Sequence, residues 1–158
     1  MGDIENKRLD ALIRHIDNVK DRCLLLGERL ISRGEDELGR HLVANGYIHD
    51  HSKFSGIEWL YLHQDIHDKD PDKFLLAASQ HVSTNKHHPE YWGSIHEMPR
   101  IYTAEMVADW ASRSAEFGND LRSWCRDKAT TKYKMTVQSK TYKEIKDLVD
   151  ILLDPAFK

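Results

Sequence analysis

Between Ile4 and Arg33, Leu9, Leu12, Ile13, Ile16, Val19, Cys23, Leu24, Leu26, Leu30 and Ile31 recur at steps of three and four residues. That period defines one long amphipathic helix, and its apolar face can be buried only against other elements. Gly27 falls inside it and weakens the case for an unbroken rod. The rest of the chain repeats the same period. A second helix is expected over about 35–45, after an acidic start and before Asn45-Gly46. A third is expected from Ser55 to about His67, with Ser55 and Glu58 at capping-box spacing. Others are expected over about 74–82, 104–117, 121–128 and 141–153, the last with Thr141 and Glu144 as a second capping box. The charged, Pro-broken stretch from His67 to Lys73 and the Thr- and Lys-rich stretch from Ala129 to Lys140 read as loops. With no convincing strand and no repeat, the expectation is all-α: a single helical domain of five to seven helices spanning 1–158.

A chain of 158 residues is long enough for one domain with a real core. Apolar residues make up 40% and charged residues 31%, so a soluble globular protein is expected rather than a disordered one. The net charge, 23 − 26 = −3, gives no case for binding a nucleic-acid duplex. Basic residues at Lys128, Lys132 and Lys134 are expected to be solvated. Membrane association is not expected, since no apolar run approaches spanning length. The charged N-terminus does not fit a signal peptide, and Asn6 breaks the myristoylation pattern. Cys23 and Cys125, far apart, are expected to be reduced thiols in a cytoplasmic protein.

Ten histidines are the compositional outlier, and they concentrate between His49 and His88. The stretch His49-Asp50-His51-Ser52-Lys53-Phe54 sets an imidazole beside a carboxylate where a helical pattern pauses. Such a pair can bind one divalent cation, with nitrogen and oxygen donors that suit Zn, Fe, Mn and related ions. His15 borders the buried face of the first helix. His81 ends a helix, and His87 and His88 follow in a polar loop closed by Pro89, Tyr91 and Trp92. Asp109 is flanked by the apolar face of Met106, Val107, Trp110 and Ala111, where a carboxylate is costly unless paired or bound to a cation. The plainer alternative is a solvated Asp109, or one paired with Arg113. His63 and His67 are spaced like paired zinc ligands, but they adjoin a charged loop and are expected to be exposed.

The order His15, His49-Asp50, Asp109 on an all-helical chain resembles the HD superfamily of metal-dependent phosphohydrolases. More closely, the His49–Phe54 stretch, Asn85-Lys86-His87-His88-Pro89-Glu90-Tyr91-Trp92 and Glu105-Met106-Val107-Ala108-Asp109-Trp110 look like those of a small HD-like family of bacteria and their phages. The similarity would cover roughly residues 10–153. It implies a metal held by His15, His49, Asp50 and Asp109. A second metal, bridged by Asp50, would take His81 and one of His87 or His88. Lys53 stands where many HD nucleotidases have an acidic residue, and the gap between His81 and His87 is short for a binuclear member.

The function expected is hydrolysis of a nucleotide or other small phosphorylated compound, with a metal-activated water as nucleophile. One or two divalent ions are expected, with Mn, Fe, Co, Zn and Mg not distinguished. Lys53 is placed to meet a phosphate, and Arg14 and Lys86 are further cationic candidates. Trp92 is a candidate for stacking on a base, as are Tyr91 and Trp110, although core packing suits each of them better. Glu58 or Glu90 is available as general base. Two other readings stand beside this one: an HD-type di-iron oxygenase, and a non-catalytic helical protein with a structural metal or none. Apolar helix faces can also pair between subunits, so a homodimer is carried as an expectation.

Overall fold

The close approach of two helices is written in glycine. In the computed structural model, which describes residues 2–156, α1 (Asp3–Ser32) packs along α2 (Asp36–Ile48). A Cβ on Gly39 would stand 2.4 Å from the Gly27 carbonyl oxygen, and one on Gly46 would stand 2.7 Å from the Cys23 Cβ. The glycines expected to weaken α1 at Gly27 and to stop α2 at Asn45-Gly46 therefore do neither. Each removes a side chain where one backbone lies against the other helix, and both helices run on through them. The turn between them needs a different property of glycine. Gly34 has φ +88°, Gly34 N–H donates to Ile31 O at 2.9 Å, and Glu35 N–H donates to Leu30 O at 2.9 Å. That is the Schellman arrangement, with the left-handed position filled by the residue that adopts it at least cost.

By contact the chain divides into two units, one of the described residues up to His49 together with those from Pro99 onward, the other Asp50–Met98. In the first, α1 is covered by α2, α6 (Arg100–Phe117) and α9 (Lys140–Leu153). Its core includes Val19, Cys23, Leu26, Leu30, Leu42, Val107, Ala108, Ile145 and Leu148. Ile13 and Leu24, counted in the apolar stripe, face outward at 43% and 41% exposure, because a 3.6-residue repeat sets them about 100° or more around the helix from Val19, Leu26 and Leu30. Arg29 is buried and donates from Nη1 to the Ile151 and Leu152 carbonyls at 2.8 and 2.7 Å, a cationic cap on the C-terminal end of α9. Arg100, at the start of α6, joins Glu35, Glu144 and Asp147. Burial opposes its charge, yet these carboxylates raise its pKa further above the ordinary guanidinium value.

Beyond α6, α7 (Leu121–Trp124) passes through a π turn at Cys125–Ala129 into α8 (Thr130–Lys132). The expected loop thus begins only after Lys132. Trp110 meets Trp124 edge-on at 4.7 Å and stacks on Tyr133 at 5.9 Å, which accounts for this aromatic as packing. Ser139, rather than Thr141, caps α9, accepting from Tyr142 N–H at 3.1 Å.

In the second unit a 3₁₀ turn (His51–Phe54) leads to α3 (Gly56–Tyr61), α4 (Gln64–Lys69) and α5 (Pro71–Thr84), then to short turns at Pro89–Trp92 and Ile95–Glu97. The single helix expected over 55–67 is divided at Leu62-His63, and His63 takes the N-cap position of α4. Pro71, expected in a loop, opens α5 behind the N-cap Asp70, the first-turn position where a missing N–H costs nothing. The Ser55 side chain makes no cap hydrogen bond and the Glu58 carboxylate is engaged elsewhere, so the expected capping box does not form. No strand occurs among the described residues, and the fold is all-α. The helices outnumber the five to seven expected because of these two interruptions, at Leu62-His63 and at the π turn.

Candidate metal centre

Among the described residues, each unit carries a buried cluster of histidine and carboxylate. In the first unit, α6 places Glu105, Asp109 and Glu116 on one stripe, since steps of four and seven residues return to nearly the same face. Opposite them stand His15 on α1 and His49 just past the end of α2, 4% and 1% exposed. His15 Nδ1 lies 2.9 Å from Glu116 Oε1, and its Nε2 lies 3.2 Å from Asp109 Oδ1. His49 Nδ1 lies 3.0 Å from Glu105 Oε1, and its Nε2 lies 4.0 Å from the same Asp109 oxygen. Arg113, the alternative partner considered for Asp109, bonds Glu116 Oε2 instead, at 3.1 Å. The cluster is a negative region. The Cys23 thiol is pushed well above its ordinary value, first by burial and then by the fields of Glu105 and Asp109. For Glu116, burial works toward a higher pKa, but hydrogen bonds from His15 and Asn18 hold it below the usual carboxylate value.

In the second unit, eight residues are buried: Asp50, Glu58, Ala77, His81, His87, Pro89, Ile95 and Met98. Half of these are titratable, so its interior is polar, and buried charges need opposite charge or a cation. Asp50 sits in the left-handed region at φ +56°, ψ 18°, directly after α2 ends. A non-glycine residue there is strained by roughly 1–2 kcal/mol, which Asp tolerates better than most. Its Oδ1 lies 3.3 Å from His81 Nε2 and 3.4 Å from His87 Nε2. His88 Nε2 lies 3.0 Å from His81 Nε2. Ligand atoms of Asp50, His81, His87 and His88 all fall within 4.8 Å of one another. Donors bound to one small divalent cation at about 2.1 Å stand about 3–3.4 Å apart in octahedral or tetrahedral arrangements. The N₃O donor set and its spacings therefore fit one transition-metal ion. In the first unit, Asp109 Oδ1 is the oxygen that both imidazoles face through Nε2, at 3.2 Å from His15 and 4.0 Å from His49.

The remaining expected site residues fall into place by unit. Lys53 Nζ donates to Asp50 Oδ2 at 2.7 Å. Glu58 is 3% exposed, and its Oε2 accepts from Ser52 Oγ and faces His81 Nδ1, both at 2.8 Å. It thus lies behind His81, on the side away from Nε2. Lys86 is exposed, and its carbonyl accepts from Trp92 Nε1 at 2.8 Å, which pins the indole across this turn. Arg14 is exposed on α1, about 100° around the helix from His15. His67 is exposed beside Gln64 and Asp68, and His63 bonds its own turn through the Leu60 carbonyl, outside either cluster. Glu105 and Glu116 were not foreseen. Their signal was the common stripe with Asp109 on an otherwise apolar helix.

An all-α chain with two buried histidine–carboxylate clusters is the class that fold and site define. The chain belongs to DUF5662, a family of unknown function whose model matches residues 4–152. No curated protein and no solved structure matches it. Among the described residues, no helix is long and apolar enough to cross a membrane.

Proposed function

We propose that the protein is a metal-dependent hydrolase of a nucleotide or another small phosphorylated compound. The observation that carries this reading is Asp50 Oδ1, held 3.3 and 3.4 Å from two imidazole nitrogens on one side while Lys53 takes Oδ2 on the other. If His81 Nδ1–H donates to Glu58, the His81 Nε2 lone pair faces a carboxylate oxygen, an arrangement that a cation stabilises. A bound divalent ion would polarise a phosphoryl oxygen and acidify water. His15, His49 and Asp109 would hold one ion, and Asp50, His81, His87 and His88 another. Lys53 contributes a fixed positive charge beside Asp50, where an anionic substrate gains from it. Exposed Lys86 supplies a second cation at the turn that carries His87 and His88. The resemblance of the motif order to HD phosphohydrolases supports the choice of phosphate esters or anhydrides.

The test is phosphate release from a panel of nucleotides and sugar phosphates, with Mg, Mn, Co, Zn and anaerobic Fe(II) supplied in turn. Release that depends on the metal and disappears in His49→Ala and Asp50→Asn supports the proposal. Oxygen consumption with iron and no phosphate release under any metal contradicts it and favours an oxygenase.

A further inference from the structure

Three imidazoles in this chain share one outer arrangement. His15 Nδ1 meets Glu116 Oε1 at 2.9 Å, His49 Nδ1 meets Glu105 Oε1 at 3.0 Å, and His81 Nδ1 meets Glu58 Oε2 at 2.8 Å. Each glutamate is held in turn by a neutral side chain. Asn18 Nδ2 donates to Glu116 at 3.2 Å, Asn45 Nδ2 to Glu105 at 3.0 Å, and Ser52 Oγ to Glu58 at 2.8 Å. Asn85 Nδ2 donates to Ser52 Oγ at 3.0 Å and extends the third chain by one link. The pattern occurs in both units, twice from α6 and once from α3, and at unrelated sequence spacings, so no local motif produces it.

An ionised carboxylate only accepts, so the imidazole nitrogen facing it carries the proton. A neutral ring with its proton on Nδ1 presents a lone pair at Nε2. In all three residues Nε2 is the atom turned to an aspartate: Asp109 for His15 and His49, Asp50 for His81. We infer that Glu58, Glu105 and Glu116 are positioning residues that hold His81, His49 and His15 in the Nδ1–H tautomer, each with Nε2 committed as a donor atom for metal. The inference rests on the proposed function, because without a cation the same argument would place a proton on each Nε2 opposite its aspartate. A ligand rotated or protonated at the wrong nitrogen must reorganise before it binds, and loss of an outer carboxylate typically weakens metal affinity 10–100-fold. The glutamates do not touch substrate in this account. Their effect passes through the histidines.

The test reads nitrogen shifts and long-range proton couplings of the histidine rings in ¹⁵N-labelled, zinc-loaded protein. Nδ1–H, Nε2-unprotonated rings for His15, His49 and His81 are expected. Rings protonated at Nε2, alone or together with Nδ1, overturn the inference. The second arm is zinc affinity by competition with a chromogenic chelator for wild type, Glu58→Leu and Glu58→Gln. Leu removes the acceptor in a similar volume and is expected to weaken zinc 10–100-fold, with Gln recovering part of the loss through its amide oxygen. Equal zinc affinity in wild type and Glu58→Leu overturns the positioning role. Absence of zinc binding by wild type overturns the metal reading itself, and with it this inference, whereas equal affinities overturn the positioning role alone.

Discussion

Lys53 and Asp50 form a bond that divides the work of one carboxylate. The Lys53 ammonium takes Oδ2 at 2.7 Å, while Oδ1 faces His81 and His87. The left-handed backbone at Asp50 lets the chain turn out of α2 and bring Lys53 back after three residues. In the proposed reaction the lysine serves the substrate anion and restrains Asp50. Replacing it with Met keeps the stem and removes the charge. Lys53→Met is expected to lower kcat/KM by about 10–100-fold, the range of a charged hydrogen bond, with metal content unchanged by elemental analysis. Full activity in this variant would remove Lys53 from the account.

Asp50→Asn isolates charge from backbone strain. Asparagine tolerates positive φ nearly as well as aspartate and matches its shape. Far-UV circular dichroism of the variant should be unchanged, while metal affinity of the Asp50, His81, His87 and His88 cluster should fall at least tenfold. Retained metal with unchanged affinity would show that Asp50 is not a ligand.

Metal should stabilise the fold. An ion present at a hundredfold excess over its dissociation constant adds about 2.7 kcal/mol. For a chain of this length that raises the Tm by roughly 5–10 °C, with the shift reversed by chelator. A thermal-shift series with Zn, Mn, Co and Fe(II) checks this, and a flat series contradicts it.

The helix crossing makes a separate prediction. Gly39→Ala forces a methyl group to within 2.4 Å of a backbone oxygen, and that atom cannot rotate away. A cost of about 1–3 kcal/mol in urea unfolding is expected, as for other overpacked sites. At Gly34 a Cβ meets nothing within 4 Å, but φ is +88°, so Gly34→Ala costs about 1–2 kcal/mol through the backbone alone. Truncating a neighbour, as in Ile31→Ala, should partly relieve Gly39→Ala and leave Gly34→Ala unrelieved.

Both cysteines should resist modification. Burial pushes the Cys125 thiol up to about 12, with a further push from Asp120, and Cys23 is raised for reasons already given. Native protein should react with a disulfide reagent at pH 8 far more slowly than urea-unfolded protein. The sign of the linkage follows. The unfolded thiol ionises near its ordinary value of 9.0 while native Cys125 stays protonated, so its contribution to stability is complete below pH 9 and is lost between 9 and about 12. Stoichiometric labelling within seconds in the native state would contradict this burial.

The all-α class was legible because apolar residues kept a 3.6-residue period through most of the chain. His15, His49, Asp50, His81, His87, His88 and Asp109 could be named because imidazoles and carboxylates bordering apolar faces need a reason to be there. What holds them was harder to read. Glu58 sat at capping-box spacing from Ser55, and local pattern favoured that role, yet the tertiary partners Ser52 and His81 claimed its carboxylate. Glu105 and Glu116 resembled ordinary helix-surface acids, and only their register with Asp109 set them apart. Gly27 and Gly46 read as helix breakers because sequence alone does not show that another backbone lies against them. Ser139 displaced Thr141 as a cap, a boundary decided by where the preceding turn released the chain.

The most direct measurement is the metal content of protein purified without chelator and without immobilised-metal chromatography, set beside His49→Ala and Asp50→Asn. The account predicts about one or two equivalents of a divalent transition metal in wild type, in line with two clusters of fitting donors, and loss in each variant of the ion held by the altered cluster. A wild-type protein that is metal-free, and stays so after incubation with Mn, Fe, Co and Zn, would contradict it and leave a helical protein whose buried histidines serve packing alone.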